Sequence, residues 1–356
     1  GHNSVPDYSA LLKSLGVKNV HFPVREEDGG EPSPEGLLSA LQAAMTDVMS
    51  EPYGSVAVLL DENIVNTIVD MNPAQVATPP LQGVAGDMSP TAETEEAVVQ
   101  AADLLADKQR PVIVLNQEVG RSPGARKAAE KLARLSGAYV VGCYAPGTLF
   151  DRGHPSWCGN VTFGEMVDVE REIAGFDPDV VVVVGGPFPN NVWPDGHSGV
   201  PDGTPAIVIS PEEADRTRCN IKADVFVYAN VGIALSSLVR KIEARQTPEH
   251  QQAADERLQK IQDENRSALE SRIAEYGKHM NETPIHPARI AKELALALKK
   301  RAEAGNLSLD DVAIFDEALT SSRPFLDYIE HLNLHDLFYY GTPGPTLGAH
   351  GASLGF

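Results

Sequence analysis

Apolar positions along this chain recur with two spacings, and the places where they do so predict its elements. Over 33–49 a Ser-Pro opening precedes Leu37, Leu38, Leu41, Ala44, Met45 and Val48 at helical spacing. That predicts an amphipathic helix with proline at its first position. Pro52-Tyr53-Gly54 predicts a turn, and the unbroken apolar run 55–60 predicts a strand buried on both faces. Between Met71 and Pro90 the chain is rich in Pro, Gly, Thr and Gln and has no period, which is the composition of an inter-domain linker.

Beyond residue 93 the two periods alternate. Helices are predicted over 93–107, 124–136 and 232–245, and short apolar strands over 111–115, 138–142, 179–186, 206–210 and 225–228. Such alternation predicts a parallel, doubly wound sheet. The strongly charged stretch 247–278 carries Leu258, Ile261, Leu269 and Ile273 as one narrow stripe and predicts a long surface helix tying two domains together. A third unit opens at Thr283-Pro284-Ile285-His286-Pro287. It continues through Ile290, Leu294 and Leu298 on one helical face and reaches a strand over 312–315.

Composition narrows the function classes. A chain of 356 residues suits two to three domains at roughly 150 residues each. With 42% hydrophobic and 22% charged residues it is a folded globular chain, not a disordered one. The net charge of -21 would repel a phosphate backbone, which excludes nucleic acid and anionic membrane surfaces as partners. Cys143, Cys158 and Cys219 show no CxxC pairing and no metal-ligand spacing, so neither zinc nor a disulfide framework is indicated. No apolar stretch reaches the roughly 20 residues of a membrane helix and no signal-peptide core follows Gly1-His2-Asn3, so a cytoplasmic setting is the expectation.

Pattern and composition stop at an acidic, multi-domain α/β protein; particular motifs go further. Lys108-Gln109-Arg110-Pro111-Val112-Ile113-Val114-Leu115, then Phe150-Asp151-Arg152-Gly153-His154-Pro155 with Gly159, then the run Asp179 to Gly186 resemble in content and spacing the central domain of thiamine-diphosphate-dependent enzymes of the benzoylformate decarboxylase and acetolactate synthase type. The stretch from Thr283 through Asp316-Glu317-Ala318-Leu319-Thr320-Ser321 resembles the start of that superfamily's diphosphate-binding domain. Gly341 to Gly355 resembles its aminopyrimidine-gripping loop, although Pro345 and Thr346 stand where paired glycines are common.

The resemblance implies a set of expectations. It divides the chain into the second half of a pyrimidine-binding domain (1–70), a linker (71–92), the central doubly wound domain (93–246), a helical linker (247–282) and the start of a diphosphate-binding domain (283–356). It implies thiamine diphosphate as cofactor, with Glu317, Leu319, Thr320, Ser321 and Ser322 around the diphosphate and Leu347 and Gly348 under the aminopyrimidine. A diphosphate needs hydroxyls and backbone N–H groups at a strand-to-helix junction; the same hydroxyls would also serve as an ordinary helix N-cap, and 341–355 would also suit a surface loop.

The activity implied is decarboxylation or carboligation of a small 2-oxo acid by a homodimer or homotetramer. The family's activating glutamate and its magnesium-holding GDG motif are absent from the sequence, which implies an interior piece of such an enzyme, inactive alone and without the Mg2+ cage. FAD is disfavoured because the loop after the first central strand is Asn116-Gln117-Glu118-Val119-Gly120, where Glu118 would repel a phosphate. The alternative is a non-catalytic nucleotide- or partner-binding module built on the central domain. A nicotinamide dehydrogenase is set aside because no GxGxxG opens the sheet. His197 lies out of register with the substrate-facing histidine of the benzoylformate decarboxylase branch, and His2, His154, His286 and His350 read as turn or capping residues.

Overall fold

The structure, a computed structural model, describes residues 8–23, 34–48, 50, 54–60, 91–143, 149–161, 166–186, 196–218, 220–317 and 321–341. The chain divides into two compact units, Gly1–Met88 and Ser89–Phe356.

In the first unit, helices α1 (Tyr8–Ser14) and α2 (Pro34–Val48) accompany two parallel strands, β1 (Asn19–His21) and β2 (Val56–Val58). Helix α2 and strand β2 lie where the apolar periods put them. Of the expected face, Ala44 is buried and Leu37 and Leu38 are half-buried, whereas Leu41, Met45 and Val48 are exposed; Ala40 is buried as well. Lys18 Nζ donates to the Asp47 and Ser50 carbonyls at the end of α2, where a cation meets the helix's orphan acceptors. A hydrogen bond from Asn19, assisted by His21, holds the Asp47 carboxyl below the usual carboxylate range.

The second unit opens with α3 (Ala92–Ala106), capped by the Thr91 hydroxyl accepting from Thr94 N, and continues through β3 (Pro111–Leu115), the short α4 (Glu118–Arg121), α5 (Ala125–Ser136) and β4 (Tyr139–Gly142). Then come β5 (Trp157–Asn160), α6 (Met166–Ala174), β6 (Val180–Val184), β7 (Ala206–Ser210), α7 (Asp215–Arg218), β8 (Val225–Tyr228) and α8 (Val231–Glu243). The strands form one parallel sheet in the order β5-β4-β3-β6-β7-β8. Every residue of β3, β6 and β7 is buried, because helices cover both faces. Ile113, Val182 and Ile207 point into the layer with α3, α5 and α8; Val112, Val181 and Val208 point into the layer with α6. The five predicted strands are all present, and β5 adds a sixth at the edge that the periods did not predict.

Helix α9 (Pro248–Gly277), thirty residues long, buries Ala254, Leu258 and Ile261 in its first half. Arg257 Nη2 reaches the Ser136 carbonyl at 2.9 Å, and Asn265 Nδ2 reaches that of Trp157 at 2.8 Å. Its second half packs Ile273 and Tyr276 into a separate core with α10 (Pro287–Glu303), α11 (Ser322–His331) and the parallel pair β9 (Ala313–Asp316) and β10 (Phe338–Gly341).

The expected apolar face of α10 is corrected. Ala288, Ala291 and Ala295 are buried, while Ile290 and Leu294 are 60% and 45% exposed. Side-chain size at a helix contact sets how near two axes approach, and α10 meets α11 through its small residues.

Candidate cofactor-binding end and the central sheet

Strand β9 ends at Asp316, and the parallel register sets Gly341 of β10 directly opposite it. The two segments singled out in the sequence, 317–322 and 341–355, therefore leave from the same end of neighbouring strands. Glu317 follows β9 immediately, Ser321 is the N-cap of α11 and Ser322 its first residue. Leu319, Thr320, Leu347 and Gly348 lie outside the described residues. Ser321 makes no side-chain cap hydrogen bond, so the ordinary capping role does not fall to it.

Two neighbours that sequence reasoning missed organise this end. The Tyr339 hydroxyl on β10 donates to Asp316 Oδ2. Burial first, and then the Asp316 carboxylate, raise the Tyr339 phenol well above its ordinary range, so it stays a donor; a hydrogen bond from Ser322 opposes the shift. Behind it the Arg152 guanidinium stands 4.7 Å from the centre of the Tyr339 ring, a cation–π contact between the central sheet's 149–156 segment and β10.

The orientation of α11 is fixed from its other side. Asp327, 2% exposed, accepts Arg272 Nε and Nη2 at 3.0 Å each, the Tyr276 hydroxyl at 2.8 Å and Arg323 Nε at 3.1 Å. Nothing marks Asp327 in the sequence beyond its place in an amphipathic helix.

Chemically, a parallel-strand end with hydroxyls and a helix N-terminus favours an anion. Pro324, the third helical residue, withholds one N–H from that set. The described part of this end sets the hydroxyls of Ser321 and Ser322 and a helix N-terminus beside the carboxylates of Asp316 and Glu317. Among the described residues no group of three His, Cys, Asp or Glu side chains is placed to hold a metal ion.

The crevice where such sheets hold nucleotides lies between β3 and β6, where the strand order reverses. Asn116 Nδ2 donates there to the Gly186 carbonyl at 2.8 Å, and Glu118 is ion-paired with Arg121 at 2.9 Å. Gly185 has φ of +92°, and a β-carbon on it would lie 3.1 Å from Glu118 Cβ and 3.3 Å from Asn116 Cβ. Gly185 thus serves close packing of β6 against the β3 loop.

The histidines divide by role. His286 caps α10 through Ala288 N, and His197 lies 3.2 Å from Glu170, while His2 and His350 are outside the described residues. Cys143 is buried, burial pushes the Cys158 thiol up to about 11, and Cys219 is not described. Among the described residues no helix is long and apolar enough to cross a membrane.

Residues 98–238 match the family described as "Thiamine pyrophosphate enzyme, central domain". Comparison with curated proteins finds no match. Among solved structures, a thiamin diphosphate-dependent enzyme from Mycobacterium smegmatis is similar at 19% identity and a TM-score of 0.56, over 98% of this chain and 57% of that one. Benzoylformate decarboxylase from Polynucleobacter necessarius is similar at 20% and 0.56, over 95% and 55%. A thiamine diphosphate-dependent 4-hydroxybenzoylformate decarboxylase from Rhodococcus jostii RHA1 is similar at 18% and 0.52, over 94% and 54%. The chain thus spans a little over half the length of each. The six-stranded parallel sheet, β3 to β8, lies within the stretch 98–238 that matches this central-domain family.

Proposed function

We propose that this protein acts in a thiamine-diphosphate-dependent decarboxylation or carboligation of a small 2-oxo acid, with the diphosphate held where β9 gives way to α11. The observation that carries the reading is the register of Gly341 against Asp316, which starts both candidate loops from one strand end. Bound there, the cofactor supplies the electron sink for carbon–carbon cleavage. Ser321, Ser322 and Thr320 would offer hydroxyls to the diphosphate, with Glu317 and Leu319 flanking them; Leu347 and Gly348 would support the aminopyrimidine. Magnesium would offset the charge of the diphosphate beside Asp316 and Glu317. The two benzoylformate-type decarboxylases among the similar structures support an aryl or other small 2-oxo acid as the substrate class.

The reading carries the domain division 1–70, 71–92, 93–246, 247–282 and 283–356, and a cytoplasmic homodimer or homotetramer with the cofactor between subunits. Sedimentation of the full-length protein as an active monomer would count against that assembly. The site is tested by calorimetric titration of thiamine diphosphate with magnesium into the full-length protein and its Thr320→Ala variant. A lost hydrogen bond to a charged group is worth on the order of 1.5–3 kcal/mol, so affinity should fall about tenfold or more. Equal affinities, or no binding to either protein, overturn the placement. Release of carbon dioxide from benzoylformate or pyruvate tests the reaction class.

A further inference from the structure

Helix α9 ends at Gly277 and α10 starts at Pro287, and the turn between them brings two imidazole rings face to face. His279 and His286 stack with ring centres 4.8 Å apart and planes 22° from parallel. Their hydrogen bonds place opposite demands on the proton.

His279 turns both ring nitrogens to carboxylates: Nδ1 lies 2.7 Å from Glu282 Oε1 and Nε2 lies 3.7 Å from Glu275 Oε1. A carboxylate only accepts, so both contacts are met when each nitrogen carries a hydrogen and the ring is a cation. The hydrogen bond to Glu282 raises the His279 pKa above its ordinary value; burial opposes the shift and Glu275 adds to it. His279 keeps 34% of its side chain exposed, so protons reach it from water without unfolding.

His286 is the N-cap of α10, and its Nδ1 accepts from Ala288 N at 3.2 Å. A proton on Nδ1 would set a donor against a donor, so the cap exists only while the ring is neutral with its hydrogen on Nε2. Two charged rings at this separation would also repel. Ala288 is fully buried in the core that α10 shares with α11, so loss of the cap acts on that core as well as on the helix end. The other charged groups at the turn are Lys278, paired with Glu275, and Arg289, which reaches the Met280 carbonyl at 3.2 Å and Glu293 at 2.8 Å.

We propose that the stacked pair is a proton-operated latch on the first turn of α10, closed while a single added proton sits on His279 and opened when a second reaches His286 Nδ1. The rings act in opposite directions with pH. His279 adds stability that is complete below its unfolded value of 6.5 and is lost as pH rises through the higher folded value, whereas the cap is lost as pH falls. The latch does not rest on the cofactor reading.

The test is NMR of the 15N-labelled full chain from about pH 8 to about pH 5, following both imidazoles, the Ala288 amide and amide protection in α10. The His279 ring should be cationic where His286 is still neutral with its hydrogen on Nε2. The Ala288 resonance should then move with the titration of His286 and not with that of His279. Across that step the protection of the Ile290 and Ala291 amides should fall about fivefold, the worth of one lost cap, while that of β6 holds. In His286→Asn, which caps at any pH, the acid step should vanish; in His279→Gln it should start at higher pH, because the neighbouring charge is gone. No acid step at Ala288, a His279 ring that stays neutral until His286 is charged, an equal fall in β6, or a step that survives in His286→Asn overturns the proposal. The wild-type titration decides this alone where a variant fails to fold.

Discussion

Gly137 decides, by lacking one carbon, where α9 can lie. It closes α5 in the left-handed region at φ +60°, and a β-carbon on it would stand 2.9 Å from both Cα and O of Ala254 on α9. Gly124, at the other end of α5, has φ of +76° and open space around the missing carbon. The two positions separate backbone strain from collision. Left-handed backbone costs an alanine roughly 1–2 kcal/mol, and overpacking adds about 1–3 more. Gly124→Ala should therefore lower unfolding stability by about 1 kcal/mol and Gly137→Ala by about 3, measured by urea denaturation. Equal losses would show that α9 yields freely.

His154 gives the residue scale a pH dependence. Burial pushes its pKa down from 6.5 to about 4, with Arg134 adding to the effect and Asp151 opposing it. The unfolded chain then holds more protons on this group than the folded one between about pH 6.5 and 4. Stability contributed by the neutral ring is complete above about 6.5, declines as pH falls through that window and is flat below about 4. The loss is on the order of 1–3 kcal/mol. His154→Asn, which keeps an acceptor near Ser156 N, should flatten the profile of melting temperature against pH between 6.5 and 4; an unchanged slope would remove His154 as its source.

Among the elements, the α9–α11 junction depends on a single carboxylate. Asp327 is buried, whereas Arg272 and Arg323 keep 34% and 52% of their side chains exposed. Removing Asp327 therefore leaves cations that water can still reach, and the cost falls below the 3–5 kcal/mol of a fully enclosed pair. Tyr276, whose phenol is pushed up to about 12 by burial and then by Asp327, loses its acceptor as well. Asp327→Asn should cost roughly 2–3 kcal/mol and raise amide exchange in α11 more than in the central sheet. Uniform exchange in both would show that the clamp does not hold α11 locally.

These elements also mark how far the sequence could be read. Strands β3, β6 and β7 were legible because helices bury both their faces, leaving unbroken Val and Ile runs. β5 was not, since its Trp-Cys-Gly-Asn sequence sits at a sheet edge with an irregular register and only Trp157 buried. β10 was hidden because Phe338-Tyr339-Tyr340 runs straight into a glycine-rich stretch, and β9 alone gives no sign of its neighbour. On α10 a helical period was legible but its inward face was not, because alanine carries little hydrophobic signal beside Ile290 and Leu294. Of the candidate site, the hydroxyl-bearing junction was legible from residue type; Tyr339, Arg152 and Asp327 act through contacts between segments distant in sequence, which no local pattern records.

For the whole molecule the deciding quantity is charge: 50 acidic against 29 basic residues give -21 at pH 7. The ion pairs along the surface of α9 and α10, such as Arg289 with Glu293 and Lys260 with Glu264, are exposed and worth a few tenths of a kcal/mol each. Self-repulsion among the unpaired carboxylates acts on every one of them and favours the expanded chain. Salt decides between the two effects, because it screens both: the Debye length falls from about 30 Å at 0.01 M to about 8 Å at 0.15 M. If repulsion dominates, adding salt over that range should raise the melting temperature at pH 7 by about 2–4 °C, the equivalent of roughly 1 kcal/mol. Near pH 4.8, where the net charge vanishes, the same addition should change little. The His154 loss is carried by burial and not by distant charges, so it should persist at both salt concentrations. Melting curves at pH 7 and pH 5, each at low and high salt, separate these contributions. A fall in melting temperature with salt at pH 7 would show that attractive pairs outweigh the net repulsion.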